Sequence, residues 1–192
     1  MTAVDEILAL INPDTRIIAI DGRSASGKTT LASKLAAETG GTVIHMDDFF
    51  LPPEMRTAER LAEKGGNVHY ERFMEEVLPF IRGTMPFSYR RFDCSVMDYD
   101  GSVTVDPSSL VIVEGAYSLS PRFGKYYDLS LFMTVDEGLQ IERIIKRNGY
   151  DKAHVFKTKW IPLEELYFSA FSIEENADRI ICCQEEDGSI PS

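Results

Sequence analysis

The sequence predicts an α/β domain: a parallel sheet with helices on both faces, to which a small β-hairpin and a helical lid are added. Three observations carry that expectation. Short apolar runs alternate with segments of helical period along the chain. The first such run, Ile17 to Ile20, leads straight into a glycine-rich turn that opens a helix. Later runs end abruptly in acids, as strands do where their carboxyl ends line a site.

Taken in order, Val4, Ile7, Leu8 and Ile11 stand at helical spacing, and Asn12-Pro13 stops that helix before the first strand. Beyond the glycine-rich turn, Leu31, Leu35 and Ala36 mark the buried stripe of a second helix. It closes at Gly40-Gly41, where glycine can take the left-handed conformation. A strand over Thr42 to Met46 follows. The proline-broken, charged stretch from Phe49 to Gly66 reads as a loop with a short exposed helix, and Phe73, Val77, Leu78 and Ile81 place a helix over Glu71 to Ile81.

From Pro86 to Asp106 the pattern changes to FSYRRF and SVTV on either side of an acidic turn at Asp98 to Gly101, a hairpin over 86–106. Leu110 to Val113 is a buried parallel strand ending in Glu114-Gly115. Leu129 to Val135 is another strand and Asp136 to Asn148 a helix, followed by a lid over 147–159. A helical segment includes Trp160 to Phe171, with Pro162 at a kink or start and Leu163, Leu166, Tyr167, Phe168 and Phe171 as core. Ala177 to Cys183 is a last strand before the polar tail EEDGSIPS.

Composition bounds the function. With 192 residues, 44% of them hydrophobic, the chain can bury one sizeable core, so a single domain over 1–192 is expected. A net charge of −11 opposes binding to nucleic acid, whose backbone is held by lysine and arginine. Three cysteines without C-x-x-C spacing point to a reducing compartment, and His45, His69 and His154 have no metal-ligand spacing. The first residues are acidic where a secretory signal would be basic, and no apolar run reaches membrane-spanning length. A soluble, cytoplasmic protein with no membrane partner is the expectation; the oligomeric state is left open.

The chemistry starts at Gly22-Arg23-Ser24-Ala25-Ser26-Gly27-Lys28-Thr29, which fits the phosphate-binding pattern G-x-x-x-x-G-K-[ST] and continues into Thr30. The glycines let backbone N–H groups converge on an anion, and the following helix adds its positive end. Lys28 would reach terminal phosphates and Thr29 would place its hydroxyl on a magnesium ion. Magnesium bound with a polyphosphate usually takes one or two carboxylates besides phosphate oxygens and water. Glu114, at the third strand's end, suits that shell. Asp47, just past the second strand, suits accepting a proton from an attacking hydroxyl. Arg143 and Arg147 lie one helical turn apart and can face the transferring phosphate together. Tyr89, Arg91 and Asp93 on the hairpin combine an aromatic face with polar groups fit for a small polar acceptor.

GRSASGKTT, HMDDFF, VIVEGAY and RIIKR, in this order and leading into a lid, resemble the uridine kinase and phosphoribulokinase family of P-loop kinases. The resemblance extends through ADRII and implies the P-loop nucleoside-kinase fold, ATP and Mg2+, and a small-molecule phosphate acceptor such as uridine. It implies that Asp47 acts as base beside magnesium, that Glu114 serves the metal, that Arg143 and Arg147 are lid arginines, and that Tyr89 and Asp93 serve the acceptor. Uridine kinases carry an Asp-His-Pro segment for the ribose hydroxyls. The matching stretch here, Asn67-Val68-His69-Tyr70, has neither the aspartate nor the proline, and His69 joins the acceptor-side candidates. The lid shows Arg147-Asn148-Gly149 in place of an arginine-glycine pair.

Two alternatives stand beside a kinase of nucleosides. One is a degenerate kinase acting as a nucleotide sensor; the other is a kinase of the same family acting on a vitamin or a sugar phosphate. A GTPase switch is disfavoured, since there is no N-K-x-D segment and the one D-x-x-G match, Asp98 to Gly101, falls in the hairpin.

Overall fold

The structure is a computed structural model that describes residues 2–183. The tail EEDGSIPS lies outside the described residues. A short helix α1 (Ala3–Leu8), closed at its start by a reciprocal Thr2–Asp5 capping box, precedes strand β1 (Ile17–Gly22) and helix α2 (Lys28–Thr39). Strand β2 (Thr42–His45) runs into a 3₁₀ turn at Met46–Phe49, so the expected strand stops one residue earlier. Helices α3 (Ala58–Ala62) and α4 (Tyr70–Glu76) follow, then the antiparallel pair β3 (Phe87–Asp93) and β4 (Asp98–Val105). Strands β5 (Val111–Glu114) and β6 (Leu129–Val135) return to the main sheet. Helices α5 (Glu137–Asn148) and α6 (Tyr150–Val155) pass through a π-helical turn at Phe156–Trp160 into α7 (Ile161–Phe171). Helix α8 (Ile173–Asn176) and strand β7 (Arg179–Cys183) complete the described chain.

The main sheet has the order β2-β5-β1-β6-β7, with every neighbouring pair parallel. Because strand side chains alternate, β1 serves two cores. Ile17 and Ala19 join Phe73, Tyr167 and Phe168 on one face, while Ile18 and Ile20 join Ile7, Leu31 and Leu35 on the other. Burial on both faces explains why β1 and β5 read as uninterrupted apolar runs.

Three expectations are corrected. Helix α4 ends at Glu76 instead of continuing to Ile81, because Pro79 cannot donate to the ladder and disfavours helical geometry at Leu78; Val77 and Ile81 are still buried. The hairpin turns at residues 94–97, closed by the Ser95 N–H donating to Asp93 Oδ1 (2.6 Å), so Asp98 to Gly101 lies inside β4. Gly101, at φ +79°, absorbs the register shift opposite Arg90–Phe92 as a bulge. On α7 the buried face carries Glu164, Tyr167 and Phe168, and Leu166 is 48% exposed.

Candidate active site

In this topology β1 is central, and the adjacent carboxyl ends of β2, β5 and β1 open to the same side. Ile20 pairs with Glu114 and Glu114 with His45 in one row across the sheet. The loop after β1, the acid closing β5 and the turn after β2 therefore meet. A cavity of about 1360 Å³ spans them.

The loop owes its shape to backbone that only certain residues accept. Gly22 sits at φ +135°, where a Cβ would come within 2.1 Å of the Met133 carbonyl oxygen on β6. Ala25 (φ 59°) and Gly27 (φ 95°) are also left-handed. Gly27 is the N-cap of α2 and supplies no side-chain cap, so the amides of the first turn face the cavity without a side-chain acceptor from the cap residue. Lys28 folds back, its Nζ donating to the carbonyls of Gly22 (2.8 Å) and Arg23 (2.9 Å). Ser26 is buried, and its Oγ has no hydrogen-bond partner among the described residues. Thr30 follows on the exposed side of α2 and lines the same cavity.

Beneath the loop, fully buried Asp21 accepts from the N–H groups of Gly22 (2.7 Å), Tyr117 (3.1 Å) and Leu119 (3.0 Å) and from the Tyr167 hydroxyl (2.9 Å). Burial pushes its pKa up against those bonds. Asp21 thus ties the phosphate loop to the segment after β5 and to α7. The sequence signal for it was an acid ending an otherwise apolar strand. Arg23 turns its side chain outward to Glu165 (2.8 Å), Glu174 (3.1 Å) and Thr134 Oγ1 (2.7 Å), so only its backbone belongs to the anion cradle.

At the carboxyl end of β5, Glu114 is 4% exposed and its Oε1 accepts from the Thr29 hydroxyl (3.0 Å) and from His45 Nδ1 (2.6 Å). That bond to Glu114 raises the His45 pKa. Asp47 lies on the cavity wall: solvent reaches its side chain, but protein crowds the remaining sides. This desolvation, with Glu114 next, raises its pKa, while Lys28, His45 and Arg147 act in the opposite sense. Its neighbour Asp48 is buried and accepts from the Tyr89 hydroxyl (2.8 Å), which makes Tyr89 a strut beneath the site rather than a lining residue. The remaining acceptor-side candidates are engaged elsewhere. Arg91 pairs with Asp100 (2.8 Å), Asp93 closes the hairpin turn, and His69 caps α4 with Nδ1 accepting from the Arg72 N–H (3.3 Å). Burial lowers the His69 pKa.

Helices α5 and α7 close the cavity. Arg143 Nη1 donates to the Ala25 carbonyl (3.2 Å), and Gln140 Nε2 to the Ser24 carbonyl (2.9 Å). Glu164 accepts from Ser24 N (3.0 Å) and Ser24 Oγ (2.5 Å). Arg147 bonds Asn148 Oδ1 through Nε (2.8 Å) and lies within the field of Asp47. Gln140 and Glu164 were not legible as site residues.

The residues present fit a nucleoside triphosphate with magnesium. The loop offers uncapped amides and an unpartnered buried hydroxyl, and Thr29, Glu114 and Asp47 are the residues that would hold the ion. Among the described residues no group of three or more histidines, cysteines and acids forms a metal cluster. A phosphate-bridging ion does not require one.

A parallel sheet whose central strand feeds such a loop, with acids at the two strand ends beside it, defines a P-loop fold of the kinase type. The chain has the fold of the uridine kinase-like P-loop kinases. It superposes on a possible uridine kinase from Bacillus stearothermophilus with a TM-score of 0.65 at 21% identity, covering 93% of this chain and 94% of that one. A candidate fructose transport system kinase from Silicibacter sp. TM1040 gives 0.70 at 21% identity, covering 94% and 98%. In sequence, a uridine kinase of Limosilactobacillus reuteri is 26% identical over 154 residues, 71% of this chain. The matched region spans 66% of that relative's length. A tRNA dimethylallyltransferase from Caulobacter sp. (strain K31) is 54% identical over 35 residues, 18% of this chain and 11% of the relative. No family model matches the chain. No helix among the described residues is long and apolar enough to cross a membrane.

Proposed function

We propose that the protein is an ATP- and Mg2+-dependent kinase that phosphorylates a hydroxyl group of a small metabolite. The observation that carries this reading is the meeting of the phosphate loop, Glu114 and Asp47 around one cavity, with Thr29 and Glu114 already in hydrogen-bond contact. Main-chain amides from Ala25 onward and Lys28 hold the phosphates. Magnesium, when bound, would neutralise phosphate charge, with Thr29 and Glu114 as its main protein-side partners and Asp47 beside it. Asp47 takes the proton from the acceptor hydroxyl as that oxygen bonds to the terminal phosphorus and the bond to the diphosphate breaks. Desolvation raises its pKa, which makes it a stronger base than an ordinary carboxylate. Arg143 and Arg147 supply positive charge from the lid.

The acceptor class includes nucleosides such as uridine, vitamins and sugar phosphates. A second reading, a nucleotide sensor without acceptor chemistry, is favoured by one observation: Tyr89, Arg91, Asp93 and His69 are all occupied by contacts within the protein. An ADP-release assay across hydroxylated metabolites, with Lys28→Ala as the blank, separates the two. Acceptor-dependent release absent from the blank supports the kinase. ATP binding without acceptor-dependent release for any compound supports the sensor.

A further inference from the structure

The arginines of this acidic protein are mostly paired. Arg23, Arg60, Arg72, Arg82, Arg90 and Arg122 each meet a carboxylate. Arg56 does not. It follows the short 3₁₀ turn Pro53–Met55, is half-buried, and lines the active-site cavity, yet no ion pair is made to it among the described residues. Its Nε donates to the Leu51 carbonyl (2.8 Å), which fixes the plane of the guanidinium, and Nη2 lies 3.9 Å from Met97 Sδ, a weak acceptor. Arg56, Cys94 and the proposed base Asp47 line the same cavity, and the Cys94 thiol lies in the fields of both Arg56 and Asp47. Phe50, Leu61 and Met97 give the same cavity apolar lining.

A guanidinium removed from much of its water and left without an acid is unfavourable unless a ligand completes it. The part not used on Leu51 is a planar fork suited to two oxygens of a carboxylate or phosphate. The cavity exceeds the ~300–1,000 Å³ usual for one small ligand, which leaves space for an acceptor beside a nucleotide.

We infer that the phosphate acceptor is itself an anion, carrying a carboxylate or phosphate group that Arg56 binds while its hydroxyl faces Asp47. This inference rests on the kinase reading and narrows it, placing anionic hydroxy compounds ahead of neutral nucleosides and sugars.

The test uses the full chain, ATP and Mg2+ with matched anionic and neutral compounds: glycerate and glycerol, pantothenate and pantothenol, ribulose 5-phosphate and ribulose, uridine monophosphate and uridine. The carboxylate and phosphate pairs distinguish the two sources of the anion. Turnover is expected for an anionic member and not for its neutral partner. Arg56→Met is expected to raise that compound's KM by about tenfold or more, with the KM for ATP changed by less than about twofold and the melting temperature unaltered. Equal turnover of a neutral partner overturns the inference while leaving the kinase intact. A KM change for ATP alone also overturns it, because Arg56 would then serve the donor. If no compound is turned over, thermal-shift titration with the same anions decides: stabilisation lost in Arg56→Met upholds the anion site although the kinase reading fails, and equal response in both proteins overturns it.

Discussion

The carboxylate of Glu164 accepts both the backbone N–H and the hydroxyl of Ser24, at 3.0 and 2.5 Å, so α7 is fastened to the crest of the phosphate loop. The attachment is redundant in elements but not in atoms. Gln140 and Arg143 of α5 take the carbonyls of Ser24 and Ala25, while Glu165, beside Glu164, takes the Arg23 side chain. Burial raises the Glu164 pKa, with Lys28 and the Ser24 bonds acting against it.

Glu164→Ala should therefore leave the Ser24 amide without its acceptor and loosen the loop. A stability loss of about 1–3 kcal/mol is expected, with weaker ATP binding, and Glu164→Gln should recover most of both because one acceptor oxygen remains. Chemical denaturation and ATP titration of the two variants check this. An alanine variant as stable and as tight-binding as the parent would contradict the role.

What the sequence made legible, and what it did not, follows from the range over which each interaction acts. Strand β1 and its loop were readable because burial on both faces gives Ile17 to Ile20 an unbroken apolar run and the turn demands glycine at fixed positions. Glu114 and Asp47 were readable from their places at strand ends. The long-range bonds of Asp21, Gln140 and Glu164 were not, since those partners lie 96 to 146 residues away. A trace was there for Glu164: with Tyr167, Phe168 and Phe171 it forms the i, i+3, i+4, i+7 set that α7 turns inward, whereas Leu166 is off that face. The hairpin turn was misplaced because Asp98 to Gly101 has turn composition, while the bulge at Gly101 uses the same residues inside a strand.

Gly22 and Gly101 offer a contrast in backbone strain. Gly22→Ala places a Cβ 2.1 Å from the Met133 carbonyl oxygen at φ +135°, against rigid backbone atoms of β6, and should cost more than about 3 kcal/mol or prevent folding. Gly101→Ala meets nothing among the described residues within 4 Å at φ +79° and should cost only about 1 kcal/mol. Soluble yield and thermal melts followed by circular dichroism give both values, and equal tolerance of the two would refute the close approach of β1 to β6 at the loop.

Acid should weaken the contact between α4 and the hairpin. Glu76 receives Arg72 Nε (3.2 Å), Arg90 N (2.9 Å) and Arg90 Nε (2.8 Å). Burial alone would lift its pKa, but these bonds outweigh it and hold the value at about 2, against an ordinary 4.5. A depressed folded-state pKa means the stabilisation is complete above the unfolded value and is lost as pH falls from about 4.5 to about 2. Glu71, held by Arg60, acts in the same window. Unfolding free energy measured by denaturant from pH 7 to 2.5 should fall across that range. Glu76→Gln should flatten the slope and lower stability at pH 7 by roughly 1–3 kcal/mol, since Arg72, 2% exposed, is left without its charge partner. An unchanged slope in the variant would show that the pair contributes nothing.

The division of labour between the loop and the strand-end acids is tested most directly by measuring ATP affinity and phosphoryl transfer side by side in Asp47→Asn. With Asp47 as the base, the variant should bind Mg-ATP within about twofold of the parent and lose transfer by roughly 10²–10⁴-fold. Transfer at the parental rate, or loss of ATP binding in step with transfer, would contradict it.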